Sequence, residues 1–147
     1  MANSLGEKFN NLVDVKSLAK DAKESKGGYQ EIPHGNYEVK VEKLELAESK
    51  AGNPMVKMQF KIVQGQHKNG LIFLNQAITK PFQVHKVNEL LRSMVDDMEI
   101  EFLDYAQYEN LLYDVHEKID GKYEYRLEYT QGKNDYDVFE ITDVFVL

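Results

Sequence analysis

The stretch GNYEVKVEKLELAESKAGNPMVKMQFKIVQGQHKNGLIFLNQAI, residues 35–78, decides how the rest of the chain is read. In its middle, Val56, Met58, Phe60 and Ile62 fall on one face, and Lys57, Gln59 and Lys61 fall on the other. A period of two is that of a strand with one buried face. AESKAGNP, with Gly52 and Pro54, supplies a turn before it, and QHKNG, with Asn69-Gly70 favouring positive φ, supplies one after it. Three consecutive strands joined by two tight connections are therefore predicted.

The flanking strands refine this picture. Tyr37, Val39 and Val41 share a face, but the apolar set then shifts to Leu44 and Leu46. A slip of one residue predicts a β-bulge, which lets a strand bend. In the third strand, Leu71 to Ile78, the residues Ile72, Leu74 and Ile78 share one face, with Phe73 and Asn75 on the other.

Beyond Pro81, the spacing of Phe82, Val84, Val87, Leu90, Leu91, Met94 and Val95 predicts a helix over 82–95. A second helix is predicted over 105–117, carrying Tyr108, Leu111, Leu112 and Val115. Gly121 precedes a fourth strand in which Tyr123, Tyr125, Leu127 and Tyr129 alternate with charged residues. That tyrosine face is expected to pack inward, and each buried hydroxyl then needs a partner. QGKND reads as a hairpin loop before a fifth strand over 136–147.

The order is β-β-β-α-β-β, mainly β with helices. It is the order of an OB-fold, a five-stranded Greek-key barrel that binds oligonucleotides or oligosaccharides on its second and third strands and adjoining loops. Other small barrels and α+β sheets share that order. Residues 1–28 read as an N-terminal helical or flexible segment with a thin apolar stripe, and 29–147 as the single OB-fold domain.

A chain of 147 residues accommodates one domain with a real core. With no cysteine, disulfides and thiolate metal sites are excluded, which fits a reducing compartment. MANSLGEKFNNL lacks the apolar run of a signal peptide, and no apolar stretch reaches membrane-spanning length, so a soluble intracellular protein is expected. The net charge of −7 is unevenly distributed. Residues 96–120 hold nine acids against one lysine, whereas residues 35–95 hold nine bases against five acids. The strand meander is basic within an acidic whole.

Binding a single strand without sequence preference requires cations along the backbone path and rings on which bases stack. The candidates are Lys40, Lys57, Gln59 and Lys61 on the first two strands, with Phe73 and Asn75 on the third. Lys50 in the first loop and Lys133 with Tyr136 near the last complete the set. The competing expectation is a solvated sheet face with Phe73 in the core. The acids Asp96, Asp97, Glu99, Glu101 and Asp104 raise a metal-dependent nuclease, but so short a run reads better as a solvated charge cluster. The four histidines lack metal-ligand spacing, and neither a Ser-His-Asp set nor a phosphate-cradling glycine loop occurs. No enzyme, cofactor or metal is expected.

The run EIPHGNYEVKVEKLELAESKAGNPMVKMQFKIVQGQHKNGLIFLNQAIT, followed by PFQVHKVNELLRSM, resembles a family of single-stranded DNA-binding proteins of phages infecting Gram-positive bacteria, formerly of unknown function. GNYEV, ESKAGNPM and IFLNQ carry the resemblance most specifically, and MANSLGEKFNNLVDVKSLAKD and YAQYENLLYDV extend it over nearly the whole chain. The resemblance implies an OB-fold and a non-catalytic role in phage replication or recombination, in the cytoplasm of the infected host. The implied partner is single-stranded DNA; phage recombination or replication proteins and further copies of the chain are additional candidates, and no membrane is. An OB-fold module that loads a phage recombinase or helicase is the alternative. Many bacterial single-strand binders dock repair enzymes through a flexible acidic tail, but VFEITDVFVL reads as a strand, so tail docking is not expected.

Overall fold

The computed structural model describes residues 32–147, in which the alternation of the opening stretch becomes a ladder. The elements are β1 (Gly35–Glu48), β2 (Pro54–Ile62), β3 (Leu71–Ala77), α1 (Pro81–Met94), α2 (Tyr105–Ile119), β4 (Tyr123–Gln131) and β5 (Asp137–Val146). A single 3-10 turn, Lys133–Asp135, joins the last two strands. The expected N-terminal segment, residues 1–28, lies outside the described residues. Ile32–Leu147 form one compact unit.

The protein is mainly β: five antiparallel strands in the order β3-β2-β1-β4-β5, with two α-helices. The expected closed barrel needs correction. Among the described residues no ladder joins β3 to β5, so the sheet is open, and Val87 and Leu90 of α1 line the seam between those two edges. The sheet nevertheless curls. Phe139 of β5 stacks at 6.2 Å between ring centroids on Phe60 of β2, and at 5.3 Å on Tyr129.

The predicted bulge sits in β1, where the register with β2 shifts between Val41 and Lys43. The strand pairs with β4 through Gly35–Val39 and with β2 through Val39–Glu48, so the bend lets one strand serve both halves of the sheet. His116 of α2 reaches that bend, its Nε2 lying 3.3 Å from the Val41 carbonyl oxygen. A carbonyl only accepts, so Nε2 carries the proton in this contact.

Val56, Met58, Phe60 and Ile62 are all fully buried, as their alternation predicted. Ile72 and Leu74 of β3, Tyr125 and Leu127 of β4, and the apolar stripes of both helices complete the core. Buried hydroxyls are partnered. Tyr108 donates to Asn88 Oδ1 at 2.6 Å, and Tyr125 donates to the Met94 carbonyl at 3.0 Å. Burial pushes both phenols well above their ordinary range.

Helix starts follow from local chemistry. Pro81 opens α1, where Gln83 Oε1 accepts the backbone N–H groups of Thr79 and Lys80 at 3.0 and 3.1 Å. Asp104 caps α2 by accepting Gln107 N–H at 2.7 Å. In the β2–β3 connection the positive φ angles fall on Gly65, at 91°, and on Asn69, at 72°, and not on Gly70. Gly70 is required for close approach, because a Cβ there would sit 2.7 Å from Ile32 Cδ1 and 2.8 Å from the His67 carbonyl oxygen. No described helix is long and apolar enough to cross a membrane.

Candidate nucleic-acid interface

Strand register sets three rows across the outer face of β1, β2 and β3. Lys57 stands between Glu45 and Asn75, Gln59 between Lys43 and Phe73, and Lys61 between Lys40 and Leu71. Phe73 is 36 % exposed and Asn75 is exposed, so the third strand presents both outward, against the expectation of a core Phe73. Lys57, Gln59, Lys61, Phe73 and Asn75 thus share one surface.

Lys40 is engaged locally, its Nζ 3.3 Å from the Glu42 carboxylate. Lys43 was missed by the sequence reading and is exposed opposite Gln59. The bulge explains this: Glu42 and Lys43 both face outward before Leu44 turns in. The slip from Val41 to Leu44 already carried that signal.

The same face changes sign across the sheet. On β4 and β5 its outward pairs are Glu124 with Phe145, Arg126 with Asp143 and Glu128 with Glu140. The β2–β3 positions carry lysines and no acid, and the β4–β5 positions carry four acids and one arginine.

At the open seam, a groove of about 380 Å³ runs between β3, β5 and α1. Phe73, Asn75, Lys86, Tyr136 and Asp137 line it, over an apolar floor that includes Leu74, Val87 and Phe139. Tyr136 is positioned by the turn before it: Gly132 N–H donates to the Tyr136 carbonyl at 2.7 Å, and Tyr136 N–H donates to Lys133 O at 3.3 Å. Asn134 takes the left-handed conformation the turn needs, at φ 58°. A Cβ on Gly132 would lie 2.7 Å from Val138 Cγ2, so any larger residue there has to move the Val138 side chain. Lys133 is exposed on this turn, and Lys50 is exposed on the β1–β2 turn, closed by Gly52 N–H to Ser49 O at 2.9 Å.

The tyrosines of β4 face the core, as expected: Tyr125 is fully buried and Tyr123 and Tyr129 pack against the same cluster. The acidic run is divided among separate tasks. Asp97 binds Lys118, whose hydrogen bond holds the carboxyl below its ordinary range, and Asp104 caps α2. Among the described residues, no three His, Asp or Glu side chains gather in a way that would hold a metal ion. His34 Nε2 lies 2.8 Å from Asp137 Oδ1, and His67 meets the Tyr37 ring edge-on.

Residues 18–96 match the family described as Protein of unknown function (DUF669), a span that includes β1, β2, β3 and α1. Among curated proteins, none matches the chain.

Proposed function

The chain belongs to the DUF669 family, and from that premise we propose that it is a non-catalytic single-stranded DNA-binding protein acting in phage replication or recombination. The observation that carries the proposal is the charge division of the outer sheet face. Lys57 and Lys61 of β2 stand diagonal to the outward ring of Phe73 on β3, with no acid on either strand's outward positions. Lys43 and Glu45 stand behind them on β1, while Glu124, Glu128, Glu140 and Asp143 with Arg126 occupy β4 and β5. Lysines beside an outward ring neutralise phosphates while a base stacks, and the acidic half repels a strand laid in the wrong place. The element order and the curl that lays Phe139 over Phe60 support reading the open sheet as an OB-type barrel with its last seam unladdered.

The test is a fluorescence anisotropy titration with labelled oligo-dT and with a duplex of the same length. Tighter binding of the single strand, weakened in Lys57→Glu and Lys61→Glu, is expected. No binding of oligo-dT, or binding indifferent to both charge reversals, refutes the reading.

A second reading is favoured by exposed apolar side chains on β5, where Val138, Val144, Phe145 and Val146 reach solvent. It is a protein-interaction module that loads a phage recombinase or helicase. Weak oligo-dT binding alongside tight, stoichiometric binding of such an enzyme would favour it over the first.

A further inference from the structure

Phe73 and Asn75 belong to two surfaces at once. They end the rows that begin with Lys43–Gln59 and with Glu45–Lys57, and they also form one wall of the groove at the β3–β5 seam. A strand following the basic face therefore meets the groove at the edge of β3. We infer that this groove receives one unstacked base of the bound strand, and that Lys86 of α1 meets the phosphate beside it. The inference rests on the single-strand reading above and adds a site on a helix outside the sheet face.

Three observations carry it. The first is size and lining: about 380 Å³ lies in the range of small-molecule sites, with an apolar floor and a few polar groups at the rim. The second is Tyr136, which is 71 % exposed although its backbone is held at both ends of the turn. A ring presented on a fixed backbone at a groove mouth stacks a base at little entropic cost. The third is charge. Lys86 is an exposed cation, and Asp137 is the acid among the lining residues. Both Asp137 oxygens are engaged, Oδ1 with His34 Nε2 at 2.8 Å and Oδ2 with the Tyr129 hydroxyl at 3.2 Å. Its lone pairs are thereby taken up by donors of the protein on the His34 and Tyr129 side.

The experiment uses the full chain and an oligo-dT carrying one internal 2-aminopurine, whose fluorescence reports stacking. Tyr136→Ala should weaken binding roughly 5- to 150-fold, the range of one lost base stack, and should lose the fast, quenched component of the fluorescence decay that stacking on the ring produces. Tyr136→Phe should retain both. Lys86→Glu should weaken binding and flatten the dependence of log K on log salt by about 0.7, one phosphate contact. Wild-type binding to oligo-dT with Tyr136→Ala and Lys86→Glu indistinguishable from it would overturn the groove and leave the sheet face standing. Failure of the wild-type protein to bind oligo-dT would overturn both.

Discussion

Gln59 of β2 stands directly opposite Phe73 of β3 on the outer face, and one step along the same ladder Phe60 stands opposite Ile72 in the core. Two phenylalanines on adjacent strands are thus assigned opposite work by parity alone. Phe60→Ala should cost about 3–5 kcal/mol of stability, the usual range for emptying a fully buried aromatic site. Phe73→Ala should leave the denaturation midpoint close to wild type and weaken oligo-dT by about 1–3 kcal/mol. Urea denaturation and anisotropy on the same preparations decide it. A Phe73→Ala protein that is severely destabilised yet binds normally would place the DNA elsewhere.

Salt dependence tests the lysine rows. With Lys43, Lys57 and Lys61 each meeting a phosphate, and Lys86 a fourth at the groove, log K for oligo-dT should fall with log salt at a slope of roughly −3, about 0.7 per contact. Lys43→Ala should flatten that slope more than Lys40→Ala, because Lys40 is paired with Glu42. Titrations between low and moderate salt measure both. A larger effect at Lys40 would contradict the assignment.

Alternation made the strands and the core legible before any coordinates, since each of Val56, Met58, Phe60 and Ile62 has only one way to be buried. Helix starts were legible too, through Pro81 and the spacing that follows it. The open seam was not. Whether β3 and β5 form a ladder depends on how far the sheet curls and on where Val87 and Leu90 settle, and no local pattern encodes either. Of the candidate face, Phe73 and Asn75 followed from parity. Lys43 was lost because the bulge was recognised from Leu44 and Leu46 but not carried to the charged residues between. Tyr136 and Lys86 share a groove through tertiary placement, which sequence spacing does not reveal.

Alkaline pH should destabilise the fold through Tyr108 and Tyr125. Burial raises both phenols above the ordinary value near 10 that they regain on unfolding. The unfolded chain therefore releases these protons first, so their contribution is intact below about pH 10 and is lost progressively as pH rises above it toward the folded-state values. Urea midpoints measured from pH 8 to 11.5 should fall in the upper part of that range. Tyr108→Phe should show a shallower fall from a starting stability lowered by about 1–3 kcal/mol, because Asn88 loses its buried partner. An unchanged slope would exclude Tyr108 as a source.

Glu128 and Glu140 oppose each other on the outer face of β4 and β5. Like charges directly opposite in a ladder are destabilising, and an opposite pair contributes roughly 0.2–1 kcal/mol. Glu140→Lys should therefore raise the thermal midpoint at low salt, with the gain shrinking as salt screens the pair. A lowered midpoint would mean that Glu140 has a role beyond the ladder.

The bulge in β1 places two outward residues, Glu42 and Lys43, between the inward Val41 and Leu44. The Glu42 side chain is exposed, so replacing it with another polar residue changes little beyond the contact with Lys40. Deleting it is a different change. Plain alternation would then run Val41 in, Lys43 out, Leu44 in, Glu45 out and Leu46 in, so the buried set survives and only the bulge is lost. What goes with the bulge is the bend by which one strand serves both β4 and β2. In a library of single changes, this codon should tolerate nearly every substitution, and its in-frame loss should spare the core while straightening the strand, a signature that separates a residue kept for curvature from one kept for contact.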